Sequence, residues 1–223
     1  MPEKSTTIMD RIDRTTRIPE SHRRKDPPPP RSVKVEVTGV CNYRCSFCAL
    51  TKRVEQPRAP MEWSLLERMI REFREFGTTE FGFFYIGESF TTVKTLVPAI
   101  KLATELGYEN RFLTSNASLA SPDKVRTVIE AGLTSLKWSV NNYDENQFVE
   151  VVQRPGRLFH QAVANIKAAK VVRDEIFART GHFCELSASR IQYDDKQGQL
   201  MDPFFAEHIE PYVDHSYELP LYT

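Results

Sequence analysis

From residue 33 onward the chain alternates between two kinds of hydrophobic pattern. Val33, Val35 and Val37 alternate with Lys34 and Glu36, the period-two signature of a half-buried strand. Residues 80–87 (EFGFFYIG) form a nearly continuous apolar run. Segments 111–115 (RFLTS), 135–140 (SLKWSV), 183–191 (FCELSASRI) and 215–222 (HSYELPLY) complete six predicted strands. Between them the period lengthens to that of a helix. Leu65, Leu66, Met69, Ile70 and Phe73 share one face of segment 61–76, which Gly77 ends. Leu96, Ile100 and Ala103 do the same over 92–106, before Gly107. Ser121 and Pro122 open a third helix as N-cap and first-turn residue, and Gly132 closes it. A fourth helix is predicted over 158–176, after the Pro155-Gly156 break, and a fifth over 203–212.

Strand and helix thus alternate five times and end on a sixth strand. Such alternation predicts an α/β fold with a parallel sheet and right-handed crossovers. Residues 33–223 number 191. At roughly 31 residues per β/α unit this length allows about six units. The expected architecture is a partial (β/α)6 TIM-like barrel lacking its final helix, with an open doubly wound sheet as the alternative.

Residues 1–32 form a different segment. They carry eight Lys/Arg against five Asp/Glu, few large apolar side chains, and the run Pro27 to Pro30. A proline run favours polyproline II and excludes a helix or a central strand. The expected organisation is a flexible Pro-rich arm over 1–32 and a barrel over 33–223.

Composition narrows the function classes. Hydrophobic residues are 40% and charged residues 27% of the chain, as in ordinary folded proteins. Lys+Arg and Asp+Glu are both 30, so there is no basic excess for a nucleic acid or an anionic membrane surface. The polar N-terminus has no signal-peptide core, and no apolar run reaches the length of a membrane span. A cytoplasmic location is expected.

Three of the four cysteines fall within eight residues, as Cys41-x3-Cys45-x2-Cys48, directly after the first strand. The fourth, Cys184, lies in an apolar strand and is expected to be a buried free thiol. In a chain from a reducing compartment, clustered cysteines bind metal or do chemistry. Three local thiolates suit three corners of a [4Fe–4S] cube and leave the fourth iron open. Structural zinc is the competing reading, but it ordinarily uses two separated ligand pairs. Here there is one pair plus one cysteine, and the five histidines are scattered without metal-ligand spacing.

At these residues the chain resembles the radical SAM superfamily. Besides the cysteine spacing, Phe47 supplies the aromatic residue that precedes the last cysteine of that family's motif. The resemblance extends over most of 33–223. It implies that Cys41, Cys45 and Cys48 hold a [4Fe–4S] cluster and that S-adenosylmethionine binds the fourth iron. One-electron cleavage would then give a 5′-deoxyadenosyl radical, which abstracts hydrogen from substrate. It further implies a reducing partner such as flavodoxin or ferredoxin, and a peptide or a small sugar-like molecule as substrate. A non-catalytic metal-binding module and a degenerate S-adenosylmethionine-binding subunit are the alternatives.

The resemblance also assigns cofactor contacts at the strand ends. Gly87 and Glu88 match two positions of a G-G-E-P motif, from which Ile86 and Ser89 depart. Ser115 and Asn116 fall where relatives often read T-T-N-G, here ending in Ala117. Ser139 and Asn141 are expected at the ribose and methionine carboxylate. Arg154 is also expected at the carboxylate, with Arg157 competing for that role. Ile191 and its neighbours are an expected adenine wall, and Phe47 an expected cover over base and cluster. Tyr217, Glu218 and Tyr222 are candidates for the substrate side. Relatives of the SPASM or twitch branch continue into a cysteine-rich extension. No cysteine follows Cys184 here, so a truncated chain with an uncovered barrel edge is expected.

Overall fold

A computed structural model describes residues 19–52, 55, 59–192 and 195–220. Six strands form one sheet: β1 (Ser32–Lys34), β2 (Glu80–Gly82), β3 (Asn110–Ser115), β4 (Ser135–Ser139), β5 (Glu185–Gln192) and β6 (His215–Pro220). Their spatial order is the order of the chain, and every pairing is parallel. A doubly wound sheet reverses direction at a switch point, and this one does not. Crossovers of one hand, all stepping the same way, place the helices on one face. The α/β fold is therefore singly wound, as in a partial barrel.

The helices are α1 (Trp63–Glu75), α2 (Val93–Glu105), α3 (Pro122–Glu130), α4 (Glu145–Val152), α5 (Arg157–Thr180) and α6 (Asp195–His208). Alternation along the strands divides the sheet into two faces. Leu136 and Trp138 of β4, and Leu186 and Ala188 of β5, are fully buried in the core. They pack with Leu66 and Ile70 of α1, Ile100 of α2, Val128 of α3 and Ile176 of α5. Ser187, Ser189, Lys137 and Ser139 take the intervening positions, on the inner face.

Several element bounds differ from the sequence expectation. The apolar run 80–87 holds a ladder only through Gly82, although Phe83 N still donates to Phe112 O at 3.0 Å. Beyond it the backbone turns, and Glu36 Oε1 accepts from Ile86 N and Gly87 N, each at 3.0 Å. An apolar run does not distinguish a buried loop from a strand. Helix α6 starts earlier than expected, at Asp195, and carries Pro203 in its interior. Helix α4 was not expected at all. Of the N-terminal segment, residues 1–18 lie outside the described residues. Its last part docks at the corner between α1 and β2, where Thr78 Oγ1 donates to Pro30 O at 2.8 Å.

Candidate functional site

The cysteine loop follows β1, at the C-terminal end of the sheet, where barrels of this kind carry their chemistry. Two straps hold it. Arg44 N and Ser46 N donate to Val152 O and Val151 O, the last carbonyls of α4, at 3.1 and 2.9 Å. The Tyr43 ring meets the Phe148 ring edge-on at 5.3 Å between centroids, within an apolar cluster that includes Val152, Phe159 and Cys45. Helix α4 is itself fixed at both ends. Asp144 Oδ1 accepts from Gln147 N at 2.7 Å, and Gln153 ends the helix in the left-handed region at φ 54°.

A second strap comes from the loop after β2. Glu88 N donates to Val40 O at 2.8 Å. A Cβ on Gly87 would lie 2.0 Å from Thr38 O. The approach of two loops of this chain thus requires a glycine here. Glu88 is buried. Its carboxylate accepts from Phe90 N at 3.0 Å, Ser115 Oγ at 2.9 Å and Asn116 N at 2.7 Å. Burial pushes its pKa up, and these hydrogen bonds pull it back.

Asn116 continues the network toward the cysteines. Its Nδ2 donates to Asn42 Oδ1 at 3.0 Å and lies 3.9 Å from Cys41 Sγ, while its Oδ1 accepts from Ser118 Oγ at 2.8 Å. Asn42 Nδ2 donates to the same Ser118 hydroxyl at 2.8 Å, closing a ring.

Cys41, Cys45 and Cys48 line one cavity of about 240 Å³. Phe47, Gly87, Glu88, Ser115, Asn116, Ser139, Asn141 and Ile191 line it too. Of Cys41, Cys45, Cys48 and the nine residues assigned above to the cofactor, eleven line this cavity. Arg154 is the exception. Its Nε donates to Asn42 O at 2.7 Å, so it clamps the cysteine loop from behind. Arg157 is exposed on the first turn of α5. Asn141 spends its Oδ1 on Ile191 N, at 3.0 Å, and so fixes the end of β5. Glu218 is exposed and bonded to Arg190, and Tyr222 lies outside the described residues.

Sequence reasoning missed Asn142. This side chain is buried and lines the cavity, and among the described residues its Nδ2 has no hydrogen-bond partner. A buried amide donor left open costs free energy unless a ligand takes it. The doublet Asn141-Asn142 at a strand end was the available signal.

The donor set fits an iron–sulfur cluster with one open corner. Among the described residues, no three His, Cys, Asp or Glu side chains converge as ligands of a single ion. Burial raises the Cys41 thiol to about 11 and the Cys45 thiol to about 12, and the neighbouring cysteines add to both. Three thiolates so placed repel one another in a half-buried pocket, and bound iron removes that repulsion. Among the described residues no fourth cysteine lines the cavity, so a cluster held by these three would keep one iron open.

Comparisons with known proteins bear on the family and the fold. The family model of the radical SAM superfamily matches residues 35–178. The PqqA peptide cyclase of Rhodopseudomonas palustris is 28% identical over 110 residues, covering 49% of this chain and 28% of that protein. Streptococcus suis SuiB bound to the precursor peptide SuiA superposes with a TM-score of 0.67 at 16% identity, over 88% of this chain and 40% of that one. HydG, a maturase of the [FeFe]-hydrogenase, gives 0.66 at 13% identity, over 85% and 42%. The chain thus spans less than half the length of each of these proteins. SuiB has also been solved with S-adenosylmethionine bound. The chain belongs to the radical SAM superfamily, enzymes built on a [4Fe–4S] cluster and S-adenosylmethionine.

Proposed function

We propose that Cys41, Cys45 and Cys48 hold three irons of the [4Fe–4S] cluster and that the adjoining cavity holds S-adenosylmethionine. The observation that carries this reading is one wall. Three half-buried thiols and the C-terminal ends of β3, β4 and β5 line the same cavity. When bound, the two cofactors together supply a one-electron route to a carbon radical that abstracts hydrogen from substrate.

The chain's own residues bind, orient and exclude water. Asn142 Nδ2 is the open donor for the ligand. Asn141 holds the end of β5 in place, so that Ile191 forms a fixed apolar wall for the adenine. The Ser139 hydroxyl faces the cavity as a ribose partner. The Glu88 amide and carboxylate and the Asn116 side chain tie together the loops after β1, β2 and β3 and so set their spacing. Phe47, 36% exposed, covers the cavity beside the cluster, where a dry surround tunes its potential.

A peptide is the substrate class favoured by the peptide cyclase relative and by the peptide-bound SuiB structure. A flavodoxin or ferredoxin is the proposed electron donor. Neutral net charge argues against nucleic acid, and among the described residues no helix is long and apolar enough to cross a membrane.

The test is anaerobic iron–sulfur reconstitution, followed by EPR of the dithionite-reduced protein with and without S-adenosylmethionine. A reduced [4Fe–4S] signal that changes on adding S-adenosylmethionine supports the assignment. One tightly bound zinc per chain, or a cluster signal indifferent to S-adenosylmethionine, overturns it.

A further inference from the structure

Barrel interiors are ordinarily filled by branched apolar side chains. Over β4 to β6 the inner face of this sheet is instead mostly polar. Strand register puts Thr114, Lys137, Ser187 and His215 in one row across β3 to β6. Ser135 and Glu185 lie in the row below, and Ser139, Ser189 and Tyr217 in the row above. Thr114 and Ser139 belong to the wall of the cofactor cavity, so Lys137 stands directly beneath it. Ser187 is fully buried, and among the described residues its Oγ has no hydrogen-bond partner.

Charged groups of both signs surround Lys137 on this face. Its ammonium lies 5.9 Å from the centre of the Tyr217 ring. From β1 comes Lys34, whose stem passes over Gly82 and whose ammonium lies 5.6 Å from the centre of the Phe84 ring. Burial and this like charge together bring the Lys137 ammonium down to about 8. Glu36, two residues beyond β1, is engaged by the amides of Ile86 and Gly87. Glu185 on β5 acts on Tyr217, and β6 adds His215. The inward residues of β2 and β3 near this row, Gly82, Phe112 and Thr114, carry no charge.

We propose that Lys137 anchors a carboxylate of the substrate in the barrel lumen beneath S-adenosylmethionine, with the Ser187 hydroxyl as a second donor. A carboxylate has two acceptor oxygens, one for the ammonium and one for the hydroxyl. Fixing the substrate at one end determines which of its C–H bonds faces the cavity above. The proposal rests on the placement of S-adenosylmethionine in that cavity, and its test is chosen to be read separately.

The experiment is NMR of protein carrying [6-13C]lysine, with the Lys137 signal assigned from its loss in Lys137→Arg. The probe is sodium acetate, with acetamide as the neutral isostere, on protein with and without cluster. Acetate is expected to raise the Lys137 midpoint by about 1, acetamide to leave it in place, and Ser187→Ala to reduce the response. S-adenosylmethionine alone is expected to leave the midpoint unchanged. No response to acetate overturns the proposal. So does a response to S-adenosylmethionine alone that matches acetate, because the carboxylate would then be the cofactor's own. The signal needs neither cluster nor turnover. Failure of the cofactor assignment would show in EPR while leaving the acetate response intact.

Discussion

Arg154 donates its Nε–H to the carbonyl oxygen of Asn42 across 2.7 Å, joining residues 112 positions apart. The bond ties the segment after α4 to the loop that carries the three cysteines. Arg154→Ala is expected to cost about 1–2 kcal/mol of stability and to lower the iron retained per chain. S-adenosylmethionine affinity of the clustered fraction is expected to stay unchanged. Iron analysis and a binding titration check both. A weakened titration with full iron content would return Arg154 to the methionine carboxylate.

Gly87 has no room for a side chain, because its Cβ would meet Thr38 O at 2.0 Å. The obstacle is backbone, which moves only with the loop. Gly87→Ala is expected to destabilise by about 1–3 kcal/mol and to shift the Glu88–Val40 bond. Thermal melts against wild type give the cost. Since the strain is local to two loops, helical content should survive.

Asp144→Ala removes the N-cap of α4, at an expected cost of about 1 kcal/mol. Because α4 straps the cysteine loop through Val151 and Val152, reconstituted protein should also lose iron faster to a chelator. An unchanged rate of iron loss would mean that the straps do not govern retention.

Helix α4 also shows where sequence reasoning stopped. The cysteine spacing and the polar strand ends were legible because each is a local cluster of chemistry-bearing residues. So was the fold class, because strand and helix periods alternate over most of the chain. Helix α4 spans only Glu145–Val152, two turns, too short for its period to stand out. Its one local signal was Asp144 followed three residues later by Gln147, a capping pattern. The partner of Arg154 was illegible for a different reason. A guanidinium suits a carboxylate and a carbonyl equally in composition, and only the folded path of the chain shows which it meets. Glu88 and Gly87 were found as motif residues, but their work within the chain emerges only from Thr38 and Ser115, far away in sequence.

Cys45 and Cys184 should separate cleanly by substitution. Cys45 lines the cavity with Cys41 and Cys48, whereas Cys184 is fully buried in the core, its thiol pushed far up by burial. Cys45→Ala is expected to lose the cluster and all S-adenosylmethionine cleavage while the sheet still folds. Cys184→Ala is expected to keep full iron content, at a cost of about 1 kcal/mol for the small void. Iron per chain and 5′-deoxyadenosine release are the two measurements. Cleavage retained by the Cys45 variant would sink the ligand assignment.

Lys137 gives a pH dependence of definite sign. Its ammonium is lowered from an ordinary 10.5 to about 8, by burial first and by Lys34 second. Between those values the unfolded chain holds a proton that the folded chain has released. Stability therefore rises with pH through this window, and below about 8 the charged, buried ammonium is a constant penalty. Lys137→Met removes the group from both states. Denaturant melts from pH 7 to 10 should show wild type gaining stability relative to the variant as pH increases. Parallel curves would place the ammonium in water, outside the lumen, and a wild-type curve that falls relative to the variant would mean a carboxylate of this chain already holds it.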